Sequence, residues 1–343
     1  MTITYSQIYC TAAELDSDLN LIGSVKESLV MEKILAASEY LRKQIGLFIP
    51  VTDTKYFDGS ATPRLYLPPF LAITGTIITD DVSLTTSDYV LRPNNRFWEN
   101  GPYGVIDLDV DEAHVSYWVK ESHSTEIPAR WGLYELTADT GATVADTTQQ
   151  SAVQITLKVN NGALVSPGMV LLIGSEQQEV ASWGSVTASL TTASAMDANV
   201  SEITLAAASV YPGEIIRIGL EQMKVLDNNS TLYYVQRGWN KTKQVAHSTS
   251  AAVDVYRTVN VVRGVNGTTA AAHLNGVSIS RYKVPDDINY LCRQIAGLML
   301  KKAQGGFAGK TGNDDLGTVT YNNEFPMVAM KEIAGNYKIW TVS

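Results

Sequence analysis

The chain has 343 residues, 45% of them hydrophobic and 18% charged, enough apolar surface for a packed core and too little charge for a disordered chain. Lys and Arg number 26 against 35 Asp and Glu, a net charge of -9, which argues against a surface that grips nucleic acid by neutralising phosphates. Two packed units, or one unit with a large insertion, are expected at this length; no membrane span and no signal peptide are read in it.

In chain order, Thr11 with Glu14 and Ser24 with Glu27 are capping-box patterns, each predicting a helix start. After the second, Val30, Ile34, Ala37, Leu41 and Ile45 form one apolar stripe that ends at Gly46 and Pro50, so a long helix with a single buried face is expected. From Val51 to Tyr134 the period changes to two, predicting a small antiparallel sheet. Along residues 105–111 the alternation puts Asp107, Asp109 and Asp111 on one face, an acidic and solvated one. A calcium loop is disfavoured there because the turn glycine is missing. Residues 135–150, rich in Thr, Ala, Asp and Gly, read as a linker.

Residues 151–282 read as β throughout and hold 9 Lys and Arg against 8 Asp and Glu, so the net acidity lies outside them. They also repeat. Ile155-Thr156-Leu157, Pro167-Gly168, Ile173-Gly174 and Glu176-Gln177 return as Ile203-Thr204-Leu205, Pro212-Gly213, Ile218-Gly219 and Glu221-Gln222. Arg237, Asn240 and His247 return 26 residues later as Arg263, Asn266 and His273. A duplicated β unit follows, and each histidine is read as fixing a turn within its unit through a ring nitrogen. The order front, front, back, back suggests nesting, with one unit made of 155–190 and 259–282 and the other, 200–257, inserted in it. Tandem units are the alternative. Nesting requires 155–157 or 171–173 to pack with 259–262 or 277–279.

Val284-Pro285-Asp286-Asp287 opens a further helix with the stripe Ile288, Leu291, Cys292, Ile295 and Met299, stopped by Gly305-Gly306. Residues 307–323 read as an arm and 326–337 as a short last helix. Cys10 and Cys292 have no C-x-x-C partner and read as buried thiols in a reducing compartment. Standard catalytic motifs are absent, so neither an enzyme, a metal nor a cofactor is expected. His114 and His123 read as ordinary histidines; Trp239, Tyr233 and Tyr234 could stack a sugar, though core or interface is the plainer reading.

Outside the insert, Tyr56-Phe57-Asp58-Gly59, Leu65-Tyr66-Leu67-Pro68, Asp88-Tyr89-Val90-Leu91 with Pro93, Gly101-Pro102-Tyr103-Gly104, Trp131-Gly132-Leu133-Tyr134 and Val284-Pro285-Asp286-Asp287-Ile288 follow one another in an order that resembles the gp6-like head-tail connector (adaptor) family of tailed bacteriophages. The resemblance covers about residues 1–134 and 284–343; the β tract between them departs from it. It implies an α+β fold: a helical adaptor core with a small antiparallel sheet, made of 1–134 and 284–343, plus an inserted all-β domain at 135–283. It also implies a non-catalytic virion protein of the neck. Copies would form a ring, commonly dodecameric, beneath the portal protein and extend the DNA channel toward a stopper or tail-completion protein. DNA would pass without sequence-specific binding. Asp107, Asp109, Asp111 and Glu112 become channel-facing candidates. Phe307, Phe325, Met327, Tyr337 and Trp340 become contacts to the portal or a neighbour, and the insert would meet capsid or decorate the neck. The runner-up is a tail, baseplate or adhesin-type protein whose insert binds a receptor or glycan.

Overall fold

A computed structural model describes residues 8–19, 25–93, 102–111, 113–305, 310–313, 317–320 and 327–337. Its helices are α1 (Ala12–Leu19), α2 (Glu27–Gln44), α3 (Asp286–Gly305) and α4 (Met327–Asn336). The first capping box forms in full: Glu14 N donates to Thr11 Oγ1 at 3.2 Å and Thr11 N to Glu14 Oε2 at 2.8 Å. Ser24 of the second lies outside the described residues; α2 starts at Glu27, behind Lys26, whose side chain makes no cap bond. The Glu27 amide is instead taken by Asn240 Oδ1 at 3.0 Å, from 213 residues away. Val30, Ile34, Ala37 and Leu41 of α2 are buried against Ile288, Leu291, Cys292, Ile295 and Leu300 of α3, with Leu15, Phe48 and Met330 in the same core. The two ends of the chain thus share one helical layer.

Residues 51–131 form a seven-stranded antiparallel sheet centred on Thr125–Trp131, which pairs with Val51–Phe57 and with Arg64–Ile73. Thr125, Ile127, Ala129 and Trp131 alternate inward with period two and meet Phe70, Ile77, Ile106 and Trp118. The expected fold class, a helical adaptor core with a small sheet, is overturned. The chain is mostly β, about 40% strand and 20% helix, with four helices and several curled antiparallel sheets. Polar-looking segments became strands because their partners bury one face, which local composition underweights.

Residues 136–283 hold two six-stranded sheets with the same strand order. Across the outer one run Thr156–Lys158, Thr258–Val262, Glu176–Trp183, Val170–Ile173, Ser278–Lys283 and Leu136–Thr143. Across the inner one run Glu202–Thr204, Leu232–Trp239, Glu221–Asn229, Ile215–Ile218, Ala252–Val255 and Thr187–Thr191, each the counterpart of its predecessor. Leu157 pairs with Val259 and Leu171 with Arg281, so the nested arrangement holds. The inner unit replaces the outer unit's hairpin turn; its own strand pair at that point closes tightly through Ser230, at φ 55°.

Two boundaries differ from the sequence reading. The supposed linker 135–150 contains Leu136–Thr143, which pairs with Ser278–Lys283 along the sheet edge, and Thr187–Thr191 belongs to the inner unit through Ala252–Val255. Both are first strands of their copies, weak in β-formers and held by a neighbour.

The outer unit docks on the body through its Gly264–Gly267 turn. Val265 is buried in the helical-layer core, and Gly267, at φ 82°, lies so close to Thr52 that a Cβ would sit 1.8 Å from its carbonyl oxygen. Gly276 has nearly the same φ, 83°, with nothing within 4 Å of a Cβ. In urea denaturation, Gly276→Ala should cost roughly 1–2 kcal/mol for left-handed backbone. Gly267→Ala should cost at least about 1–3 kcal/mol more for overpacking against the strand; equal losses would contradict this docking geometry.

Candidate functional site

The repeated residues meet in each β unit around a buried carboxylate. In the outer unit Glu176 is fully buried on its strand, and Arg263 donates to it through Nε at 2.6 Å and Nη2 at 2.7 Å. Gly264 N and Ala271 N donate at 3.1 Å each, and His273 Nε2 lies 2.7 Å from Oε2. Arg263 Nη1 is spent on the carbonyls of Ser151 and Gln154, both at 2.8 Å. The inner unit reproduces this contact for contact. Arg237 Nε and Nη2 hold Glu221 at 2.7 Å, Gly238 N and Val245 N follow at 3.2 and 3.1 Å, and His247 Nε2 lies at 2.8 Å. Arg237 Nη1 takes the Asp197 and Val200 carbonyls at 2.9 and 2.8 Å.

The asparagines complete the turns. Asn266 Nδ2 donates to Gln177 Oε1 at 2.9 Å and Asn240 Nδ2 to Gln222 Oε1 at 3.4 Å, both from left-handed backbone near φ 55° and 57°. Thr268 and Thr242 accept the amides of Gln177 and Gln222 at 2.9 Å each. The arginines, asparagines and histidines singled out in the sequence lie in these two clusters, around glutamates that the sequence reading did not single out. Their signal was present in the repeated Glu-Gln of the front halves. Burial pushes the Glu176 carboxyl up, yet Arg263, the Ala271 amide and His273 outweigh it and hold it down at about 2; Glu221 is lowered by the same set of groups. With the carboxylate ringed by donors and no nucleophile bonded into the cluster, the arrangement locks a fold and has no free acceptor to offer a substrate.

The channel-facing candidates do not form one acidic face. Asp107 is held by Arg64 at 2.7 and 2.9 Å and by Arg92 at 2.7 Å, and Arg64 with Arg92 keeps its carboxyl below the usual range. The strand ends at Leu108, so Asp109 lies in the following loop and Asp111 in an exposed turn, where strand alternation no longer applies. Glu112 lies outside the described residues, as do Phe307, Phe325 and Trp340. Met327 opens α4, and its side chain is outside them too. Tyr337 is not a free contact. Its ring meets Phe48 edge-on at 5.0 Å and its hydroxyl donates to Asp287 Oδ1 at 2.7 Å. Burial, then Asp287, pushes this phenol above its ordinary range.

Where both β units meet the helical layer lies a cavity of about 90 Å³, lined among others by Asp16, Glu27, Trp183, Lys224 and Trp239. Trp183 Nε1 donates to both Glu27 oxygens, at 3.1 and 3.2 Å, and Lys224 lies 4.7 Å over the Trp239 ring and 3.4 Å from Asp16. Burial raises the Glu27 carboxyl. Trp239 Nε1 is buried without a hydrogen-bond partner among the described residues. Tyr233 is fully buried and Tyr234 partly exposed, so the three aromatics form no shared sugar platform. Among the described residues no group of His, Cys, Asp and Glu could hold a metal ion, and no helix is long and apolar enough to cross a membrane. Comparison with protein-family models, with curated proteins and with solved structures finds no match to this chain.

Removing either arginine strands a buried carboxylate, so Arg263→Ala and Arg237→Ala should each cost about 3–5 kcal/mol. The Glu176 contribution should be complete above its ordinary value of 4.5 and vanish as pH falls toward about 2, since its folded value is depressed. Denaturant midpoints recorded from pH 7 to pH 2.5 should therefore fall more steeply for the native chain than for Glu176→Gln; parallel curves would show that this carboxylate does not drive acid sensitivity.

Proposed function

We propose that the chain is a structural virion protein of a tailed bacteriophage, a head-tail adaptor that assembles as a ring beneath the portal, extends the DNA channel and joins capsid to tail without catalysis. The observation that supports this reading most is the meeting of the two ends of the chain. The segments that carry the resemblance, separated in sequence by residues 135–283, pack α2 on α3 in one layer, next to the seven-stranded sheet, while the β units loop out between them. One of the resembling motifs is tied to the chain that follows α2 and to the strand 64–73: Gly132 N donates to Pro69 O at 3.0 Å, Leu133 N to Leu47 O at 2.7 Å, and Gly132 packs on Pro50.

A ring also needs outward-facing surface for neighbours, and Leu35 of α2, Tyr290 of α3 and Val328 of α4 are exposed apolar residues on the same layer. The acidic balance outside residues 151–282 suits a conduit for DNA, since like charge acts within a Debye length of about 8 Å in physiological salt. Asp109 and Asp111, which no cation pairs with among the described residues, would serve it rather than the paired Asp107.

Mass measurement on the virion neck, with electron cryomicroscopy of the same particles, should show one closed cyclic set of this chain under the portal. A single copy, or three copies around a fibre, would overturn the adaptor reading. Asp109→Lys with Asp111→Lys should slow DNA passage and spare assembly; an axis-facing surface that proves net basic would overturn the charge argument.

A further inference from the structure

The only two cysteines of the sequence, 282 residues apart, touch. Cys10 Sγ donates to Cys292 Sγ at 3.4 Å, Ser38 Oγ lies 3.4 Å from the same sulfur, and both thiols are buried, at 3% and 0% exposure. The backbone before Cys10 is fixed from two sides. Tyr9 N donates to Ser38 Oγ at 3.0 Å, and Asn289 Nδ2, one helical turn before Cys292 on α3, donates to Tyr9 O at 2.9 Å. Beyond Cys10 the capping box of α1 begins at once. The two sulfurs are therefore held face to face by independent hydrogen bonds, not by chance apposition of loose segments.

We propose that Cys10 and Cys292 form a site of oxidative cross-linking, which closes as one intramolecular disulfide when the folded protein leaves the reducing cytosol. The pairing rests on the geometry alone; its trigger rests on the virion reading above. The co-reactant is a small peroxide, able to reach a buried sulfur where a bulky disulfide is not. Cys292 sulfur attacks the peroxide O–O bond, giving a sulfenic acid and one water. Cys10 sulfur then attacks the sulfenic sulfur, the S–S bond forms, and the hydroxyl leaves with the Cys10 proton as a second water. Two thiols lose two electrons and hydrogen peroxide gains them. The hydrogen bond from Cys10, helped by Ser38, draws the Cys292 thiol below the ordinary range and the same bond pushes Cys10 up, so Cys292 is written as the attacking sulfur; the step balances equally with the two roles exchanged. The sulfurs, 3.4 Å apart, close to a bond of about 2.05 Å.

The reduced full chain, treated with dilute hydrogen peroxide, then unfolded and alkylated with iodoacetamide, should lose two hydrogens in intact mass and take up no alkyl group. Peptide mapping should join the Cys10 and Cys292 peptides, the melting temperature should rise, and a phosphine reductant should reverse both. Peroxide applied in urea should give the cross-link far more slowly. Ser38→Ala, which keeps both thiols, should slow cross-linking several-fold without preventing it. Sulfinic adducts, chain-to-chain dimers or two alkylated cysteines after peroxide treatment of the folded chain would overturn the proposal. Particles carrying the chain, quenched with iodoacetamide without reductant, test the trigger separately. The bond in purified chain but not in particles would remove the trigger and leave the site.

Discussion

A carboxylate taken out of water must be given donors for its lone pairs, and removing one partner costs more than the pair itself contributes. Glu176 and Glu221 impose this condition on the whole insert. Their partners come from the far half of each unit, so neither sheet can close with the carboxylate satisfied until its two halves have met. In the inner unit arginine and glutamate are 16 residues apart; in the outer unit they are 87 apart, with the inner unit between. The same chemistry thus carries very different chain entropy. Once the inner unit has formed it presents its two ends close together, and the outer pair faces a short effective loop.

The two copies keep their interiors and spend their surfaces differently. The Arg-Gly-x-Asn turn of the outer unit buries Val265 among the helices and presses Gly267 onto Thr52. In the inner unit the same turn carries Trp239 beside Lys224, and Asn240 accepts the Glu27 amide at the start of α2. The two turns differ at two positions, Trp239 against Val265 and Lys241 against Gly267, and they dock on different parts of the body. The Trp239 indole nitrogen, without a hydrogen-bond partner among the described residues, marks where the inner unit's seat is less completely filled than the outer unit's.

How much of this was legible in the sequence follows the range of the forces. The stripe Val30, Ile34, Ala37 and Leu41, the Thr11 capping box and the Pro285-led start of α3 are local patterns, and each stands where the sequence puts it. The nested order of the repeat was readable because duplication leaves a copy to compare. Leu136–Thr143 was not readable, since Thr, Ala, Asp and Gly become a strand there only by pairing with Ser278–Lys283. The helical adaptor core was an overreach: the period-two pattern of residues 51–134 was read as a small sheet, whereas seven strands form there and the chain is mostly β. A lone glutamate on a strand reads as solvent-facing until its arginine is found, and Asp107 read as bare acid because Arg64 and Arg92 approach from other strands.

The chain enters and leaves the insert at Leu136 and Lys283, which are opposite partners on neighbouring antiparallel strands. A pull that separates these two points loads one rung of the ladder at a time, as a zipper opens, instead of shearing all rungs together. The insert is therefore mechanically soft along that single direction, while a load pressing the two points together meets the full ladder. A load that spreads the body opens this hinge first and lets it recoil, with the β units acting as a spring clip across it.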